Sequence, residues 1–91
     1  MHVAFYATLR QAVGQKTVQF DLADGATVKT LLDAVTVRYP SLGPLIWQPD
    51  GTLGDYIKVF VDGREIRHLQ MLDTALLPGA SVDIFPPVAG G

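Results

Sequence analysis

Hydrophobic and polar residues alternate along much of the chain, and this period of two predicts β-strands. The first two alternating stretches are joined by a short link that contains the turn Gly14-Gln15-Lys16, so they are predicted to pair as a hairpin. A shorter strand is predicted to return after the tight turn Asp62-Gly63. In chain order, the predicted strands cover residues 3–9, 17–22, 57–61, 65–67 and 82–85.

Residues 28–39 follow a helical period instead. Thr27 can cap the start of this helix, and Pro40 ends it because proline disfavours the α conformation in the residue before it. The apolar positions lie on one helical face, spaced by three and four: Val28, Leu31, Leu32 and Val35.

Residues 40–55 are rich in proline and glycine, and they are predicted to be irregular with one short helical turn. Four apolar side chains are expected to hold this stretch on the core: Leu42, Leu45, Ile46 and Trp47.

The element order is a hairpin, one helix, a loop and further strands. It predicts an α+β domain, with a mixed sheet of four to five strands and one main helix across one face. The domain is expected to cover residues 1–85, followed by a flexible tail at residues 86–91.

Composition narrows the functional classes. The chain has 91 residues, of which 48% are hydrophobic and 18% charged, so a single folded domain is expected. The formal net charge of −2 leaves no excess of basic residues to neutralise phosphates, so nucleic-acid binding is not expected as the main function. Cysteine is absent, which excludes disulfides and thiolate chemistry. With no apolar run near the roughly 18 residues of a membrane span and no signal-peptide pattern, a cytoplasmic protein is expected.

Candidate chemistry inside the domain is sparse. His2 and His68 have no ligand spacing around them, so no metal site is predicted. Ser41 and Ser81 lack a nucleophile motif. Arg64 and Arg67 beside His68 leave two interpretations open, a small docking patch or a plain solvated surface.

The last six residues are hard to explain by folding alone. Pro86 and Pro87 favour an extended path, and Gly90 and Gly91 are costly to order. Six extended residues reach about 20 Å, and a terminus without side chains can enter a narrow tunnel in a partner enzyme. The alternative is a frayed tail that happens to end in glycines.

The string Ile84-Phe85-Pro86-Pro87-Val88-Ala89-Gly90-Gly91 resembles the terminal signature of the MoaD/ThiS family of ubiquitin-like sulfur carriers. The small subunit of molybdopterin synthase is the closest type. Weaker likenesses extend over the rest of the chain, such as Tyr39-Pro40 after the helix, Val61-Asp62-Gly63 and Pro78-Gly79.

The resemblance implies a β-grasp fold and a carrier that is not itself an enzyme. An activating enzyme of the ubiquitin-activating type would use ATP to adenylate the Gly91 carboxylate, and a sulfur donor would convert it to a thiocarboxylate. The acceptor would be the large subunit of molybdopterin synthase or another sulfur-accepting enzyme. No cofactor would be bound by the carrier itself.

Partner binding is also implied by the resemblance. Family members dock through an apolar sheet surface next to the tail, here Tyr6 and Phe85, while Pro86, Pro87, Val88, Ala89 and Gly90 would follow the tail into the partner. The alternative for both aromatic residues is core packing. Tyr6 is expected to be partly exposed, since Val3, Phe5 and Ala7 supply the other face of its strand.

Three functions follow. The first is a sulfur carrier. Molybdopterin synthesis is the pathway that the resemblance favours, and cysteine synthesis, thiamine synthesis and tRNA thiolation are the alternatives. The second is a protein modifier that forms isopeptide bonds to lysines. The third is an interaction domain with an inert tail.

Overall fold

The computed structural model describes residues 1–87, so the predicted tail positions 88–91 lie outside the described residues. Its strands are β1 (His2–Phe5), β2 (Thr17–Gln19), β3 (Lys58–Val61), β4 (Arg64–Glu65) and β5 (Ser81–Phe85). They form one mixed sheet in the order β2-β1-β5-β3-β4. The neighbouring strands β1 and β5 run parallel, and the other neighbours pair antiparallel.

The main helix, α2 (Val28–Arg38), begins at the predicted residue and ends one residue before the predicted end. Its buried positions are the predicted ones, and they pack into one core with the inward side chains of the sheet. Two shorter helices are α1 (Ala7–Val13) and α3 (Gly43–Ile46). Single 3₁₀ turns cover Pro40–Leu42, Ile66–His68 and Met71–Asp73.

The prediction of a strand over residues 3–9 is wrong beyond Phe5. Ala7 adopts a left-handed φ of 53°, which turns the chain out of β1 and into α1. Leu9 and Val13 then face the core four residues apart, and Gly14 closes the helix with a φ of 89°. β1 and β2 do pair antiparallel, but a helix joins them and not the predicted tight turn.

Three other expectations need correction. β2 stops at Gln19 and not at the predicted residue 22, although the Phe20 N–H still donates to the Met1 carbonyl at 3.0 Å. The return strand is Arg64–Glu65 instead of residues 65–67. Leu45 is 47% exposed, since Leu42 and Ile46 take the inward side of that turn.

The N-terminus of α2 is closed by a reciprocal pair of threonines. The Thr30 N–H donates to the Thr27 hydroxyl at 3.3 Å, and the Thr27 N–H donates to the Thr30 hydroxyl at 3.2 Å. This capping box satisfies two backbone donors that a helix start otherwise leaves open.

Replacing the capping threonine, Thr27→Ala, is expected to lower the free energy of unfolding by about 1 kcal/mol, because the hydroxyl that accepts the Thr30 N–H is lost. Chemical denaturation measures the change. Thr27→Ser keeps the accepting oxygen and serves as the control. Equal losses in the two variants would show that the hydroxyl is not what stabilises the helix start.

Candidate functional site

The sheet face that α2 leaves uncovered carries an aromatic patch, formed by Tyr6, Phe60 and Phe85. The Tyr6 and Phe85 rings are stacked, with centroids 4.1 Å apart and planes 11° apart. Phe60 meets Phe85 edge to face, with centroids 5.6 Å apart. All three side chains are half-buried, so each offers an apolar surface to a partner while resting on its neighbours.

The strand periodicity explains why these rings point outward. Along β5, Val82 and Ile84 are buried while Asp83 and Phe85 lie on the other face, and Phe60 occupies the outward position of β3. The register places Phe60 opposite Asp83. Side chains opposite each other in neighbouring strands share a face, so the outward residues of β1, β5 and β3 form one surface.

The patch lies where the chain leaves the sheet. Phe85 is the last residue of the central strand β5, followed by a buried Pro86 and an exposed Pro87. The predicted site residues Val88, Ala89, Gly90 and Gly91 lie outside the described residues. A hollow of about 230 Å³ beside Met1 and Phe20 lies at the opposite end of the sheet and has no part in this site.

Tyr6 is held in place by two hydrogen bonds to β5. Its hydroxyl donates to Asp83 Oδ1 at 2.9 Å, and its backbone N–H donates to the Ile84 carbonyl at 3.3 Å. The pKa of Tyr6 is raised above its ordinary value of 10.0, first by the hydrogen bond to Asp83, then by desolvation, then by the negative charge of Asp83. The Tyr6 hydroxyl is therefore protonated over the physiological pH range and can donate to Asp83 throughout it.

Removing the acceptor, Asp83→Ala, is expected to lower the pKa of Tyr6 toward its ordinary value. Because the pKa is raised in the folded state, this contact stabilises the fold fully below pH 10.0, and the stabilisation is lost as pH rises through the raised pKa. Phenolate absorbance measures the titration, with the curve of the Tyr6→Phe variant subtracted. Asp83→Asn keeps an accepting oxygen without the charge and should fall between the two. An unchanged Tyr6 titration in Asp83→Ala would show that Asp83 is not the cause of the raised pKa of Tyr6.

Two of the predicted docking residues, Tyr6 and Phe85, are brought into direct contact, and the core-packing alternative is wrong for both. Tyr6 is partly exposed, as predicted. Phe60 was missed, although its outward position beside Lys58 in an alternating strand was the available signal, since an aromatic residue there has no core to fill. Of the basic residues considered for a docking patch, Arg67 forms an ion pair with Glu65 at 3.5 Å and donates a hydrogen bond to the Asp55 carbonyl.

The remaining chemistry of the described chain is limited. Within residues 1–87, no group of three or more His, Asp or Glu side chains could hold a metal ion. No helix of this same part of the chain is long and apolar enough to cross a membrane. The site offers an aromatic surface and the carboxylate of Asp83, and Lys16 Nζ lies 5.5 Å from the centroid of the Tyr6 ring. This combination suits binding to another protein.

The chain matches a family model and several curated proteins. The model described as ThiS family matches residues 3–91. Small archaeal modifier protein 3 of Haloferax volcanii is 41% identical over 92 residues, covering 100% of this chain and 98% of the relative. Sulfur carrier protein CysO of Mycobacterium tuberculosis is 31% identical over 80 residues, covering 86% of this chain and 83% of the relative.

Solved structures give the same picture. The crystal structure of SAMP1 from Haloferax volcanii matches with a TM-score of 0.89 and 33% identity, covering 99% of this chain and 97% of that one. A chain of the crystal structure of the Amycolatopsis orientalis BexX/CysO complex matches with a TM-score of 0.81 and 30% identity, covering 99% and 98%. The predicted ubiquitin-like β-grasp fold is thereby confirmed.

Proposed function

The chain belongs to the ThiS family, and from this membership we propose that it is a sulfur carrier whose reactive group is the carboxylate of Gly91. An activating enzyme of the ubiquitin-activating type joins that carboxylate to the AMP part of ATP and releases pyrophosphate. Hydrosulfide delivered by a sulfur donor then attacks the acyl carbon, AMP leaves, and the product is a thiocarboxylate. A sulfur-accepting enzyme takes the sulfur from it.

The position of the aromatic patch carries this proposal. Phe85 belongs to the patch and is also the last strand residue before the tail. A partner that binds the patch therefore fixes the start of the six-residue segment that follows Phe85. Six extended residues span at most about 20 Å. Such anchoring confines the reacting carboxylate to within about 20 Å of the tail root, which reduces the search for the partner active site and so contributes to rate enhancement.

In this proposal the chain provides the reacting carboxylate and the surface that positions it. Its partner enzymes bind ATP and catalyse the reactions. The assignment to molybdopterin synthesis stays a prediction, with the large subunit of molybdopterin synthase as its acceptor. The names of the relatives favour modifier-type and CysO-type roles.

A second candidate is a protein modifier, in which the same acyl adenylate is passed to the amino group of a target lysine. The observation that favours it is the 41% identity to a protein named as a small archaeal modifier. Both candidates share the first step, and they differ in whether sulfur or nitrogen receives the acyl group.

Intact-mass spectrometry tests the carrier proposal. The chain is incubated with an activating enzyme of its own organism, ATP and a sulfur donor. The expected product is heavier by the difference between one sulfur and one oxygen atom. Failure to gain this mass, while an adenylate still forms, would count against the carrier and leave the modifier, which lysates probed for high-mass conjugates would then reveal.

A further inference from the structure

The sheet has two outer strands, and they differ in how their open edges are protected. One is β4, which is only two residues long and carries the opposite charges of Arg64 and Glu65. Short, charged edge strands resist pairing with another chain. The other is β2 (Thr17–Gln19), whose three residues are uncharged and include no proline. β2 itself therefore carries no charge or proline that would block the addition of a further strand.

The pairing of β2 with β1 determines which backbone groups of β2 face outward. The Phe20 N–H donates to the Met1 carbonyl at 3.0 Å, so Phe20 forms its backbone hydrogen bond toward β1. Backbone groups alternate in direction along an antiparallel strand, so Thr17 and Gln19 turn their N–H and C=O groups to the open edge. Both residues are exposed. The open edge thus presents four outward backbone groups.

A side chain of α2 covers one of these four groups. Arg38, the last residue of α2, donates from Nη1 to the Gln19 carbonyl at 3.1 Å. Its guanidinium carbon lies 5.2 Å from the centroid of the Phe20 ring and 5.6 Å from that of the Tyr39 ring. The two cation–π contacts and the negative end of the helix dipole hold the guanidinium group at this edge.

We propose that the open edge of β2 is a strand-addition site for a second copy of this chain, and that Arg38 keeps it closed. The edge is self-complementary. An antiparallel pair of β2 strands centred on Val18 sets Thr17 of each copy opposite Gln19 of the other, which allows four backbone hydrogen bonds. Two of these bonds need the Gln19 carbonyls, which Arg38 occupies. The side chains that would meet are uncharged, so no like charges oppose the pairing.

The small area of this edge limits the strength of the pairing. Strands of three residues bury far less surface than the roughly 1,200 Å² of a stable interface, so the open edge should give a weak dimer, with a Kd of about 0.1–1 mM. One arginine is therefore enough to keep the chain monomeric. The inference does not rest on the proposed carrier function, because the β2 edge includes neither the aromatic patch nor the tail.

Sedimentation equilibrium tests the inference over chain concentrations from about 10 µM to about 1 mM. The unchanged chain should keep the mass of one chain, 9.8 kDa, throughout this range. In Arg38→Ala the Gln19 carbonyl is free, so the average mass should rise by at least about half at the highest concentration. Arg10→Ala is the matched control, because it removes an exposed arginine of α1, and it should stay monomeric.

Nuclear magnetic resonance shows whether the pairing uses the β2 edge. In Arg38→Ala the amide signals of Thr17 and Gln19 should shift with concentration, and their exchange with solvent should slow by about twofold or more at the highest concentration. The double variant Arg38→Ala/Thr17→Pro lacks the outward N–H of residue 17, which would donate two of the four bonds, and should return to the mass of one chain. Proline is tolerated at the first residue of an edge strand.

The other outcomes would overturn the inference. They are a folded Arg38→Ala that stays monomeric, and a dimer in which the Thr17 and Gln19 amides do not respond. Equally strong association of the unchanged chain would show that Arg38 does not close the edge. If Arg38→Ala unfolds, Arg38→Met carries the test with the same expected mass, because methionine keeps an apolar stem without a donor. Thr17→Lys replaces Thr17→Pro if that double variant unfolds, since a charge also blocks an edge strand.

Discussion

Deleting Gly91 is expected to reduce thiocarboxylate formation by at least about a hundredfold while leaving thermal unfolding unchanged. The deletion leaves a carboxylate at Gly90, but it draws the reacting carbon back by about 3.5 Å relative to the docked patch. Misplacement of a reacting group by about 1 Å already costs about a hundredfold in well-organised sites. β5 ends at Phe85, six residues before the deleted glycine, so the hydrogen bonds described for the sheet are kept.

The assay is intact mass after incubation with the activating enzyme, ATP and a sulfur donor, with circular dichroism to follow unfolding. Leu77→Ala is the control, because it changes an exposed residue outside both the aromatic patch and the tail. The carrier and the modifier both predict loss on deletion of Gly91. Full thiocarboxylate formation by the shortened chain would show that the exact position of the terminal carboxylate does not matter. No mass gain by either chain would favour the third function, an interaction domain with an inert tail.

The parts of the fold that the sequence predicts correctly are those in which one periodicity governs a whole element. α2 is such a case, because Val28, Leu31, Leu32 and Val35 mark a helical face that no strand pattern fits. β3 and β5 are similar, since each alternates strictly between a core face and an open face. In these elements local preference and tertiary burial agree.

The missed helix α1 shows where that agreement fails. Val3, Phe5 and Ala7 continue the alternation of β1 past its true end, and Leu9 also fits a period of two. The chain turns instead at Ala7, in a left-handed conformation that alanine rarely adopts and that no residue preference signals. Gly14 was the one usable sign, since a left-handed glycine commonly ends a helix.

The site was predictable in part for a related reason. Tyr6 and Phe85 were found through a likeness to known carriers, but their contact depends on the parallel pairing of β1 with β5, which joins residues far apart in the chain. Asp83 contacts Tyr6, and Phe60 contacts Phe85, only because β5 lies between β1 and β3 in the sheet. Strand order is decided by packing of the whole domain, so the sequence names outward residues without saying which are neighbours.

Replacing a leucine of the α2 core face, Leu32→Ala, is expected to lower the free energy of unfolding by about 2–5 kcal/mol. Leu32 is 0% exposed, and the removed atoms leave a cavity between α2 and the sheet that close-packed neighbours refill only in part. Domains of this kind have total stabilities of about 5–15 kcal/mol, so the loss is a large share of the whole. Urea denaturation followed by circular dichroism measures it.

The matched control is Leu77→Ala, the same truncation at a leucine that is 72% exposed, for which a change within about 0.5 kcal/mol is expected. Similar losses at both positions would mean that α2 does not cover the core as described. The pair also separates stability from chemistry. Leu32→Ala should lower carrier activity only as far as it lowers the folded fraction, so activity should return when osmolyte restores folding. The chain without Gly91 should remain inactive under the same conditions, because its folded domain lacks only the correctly placed carboxylate.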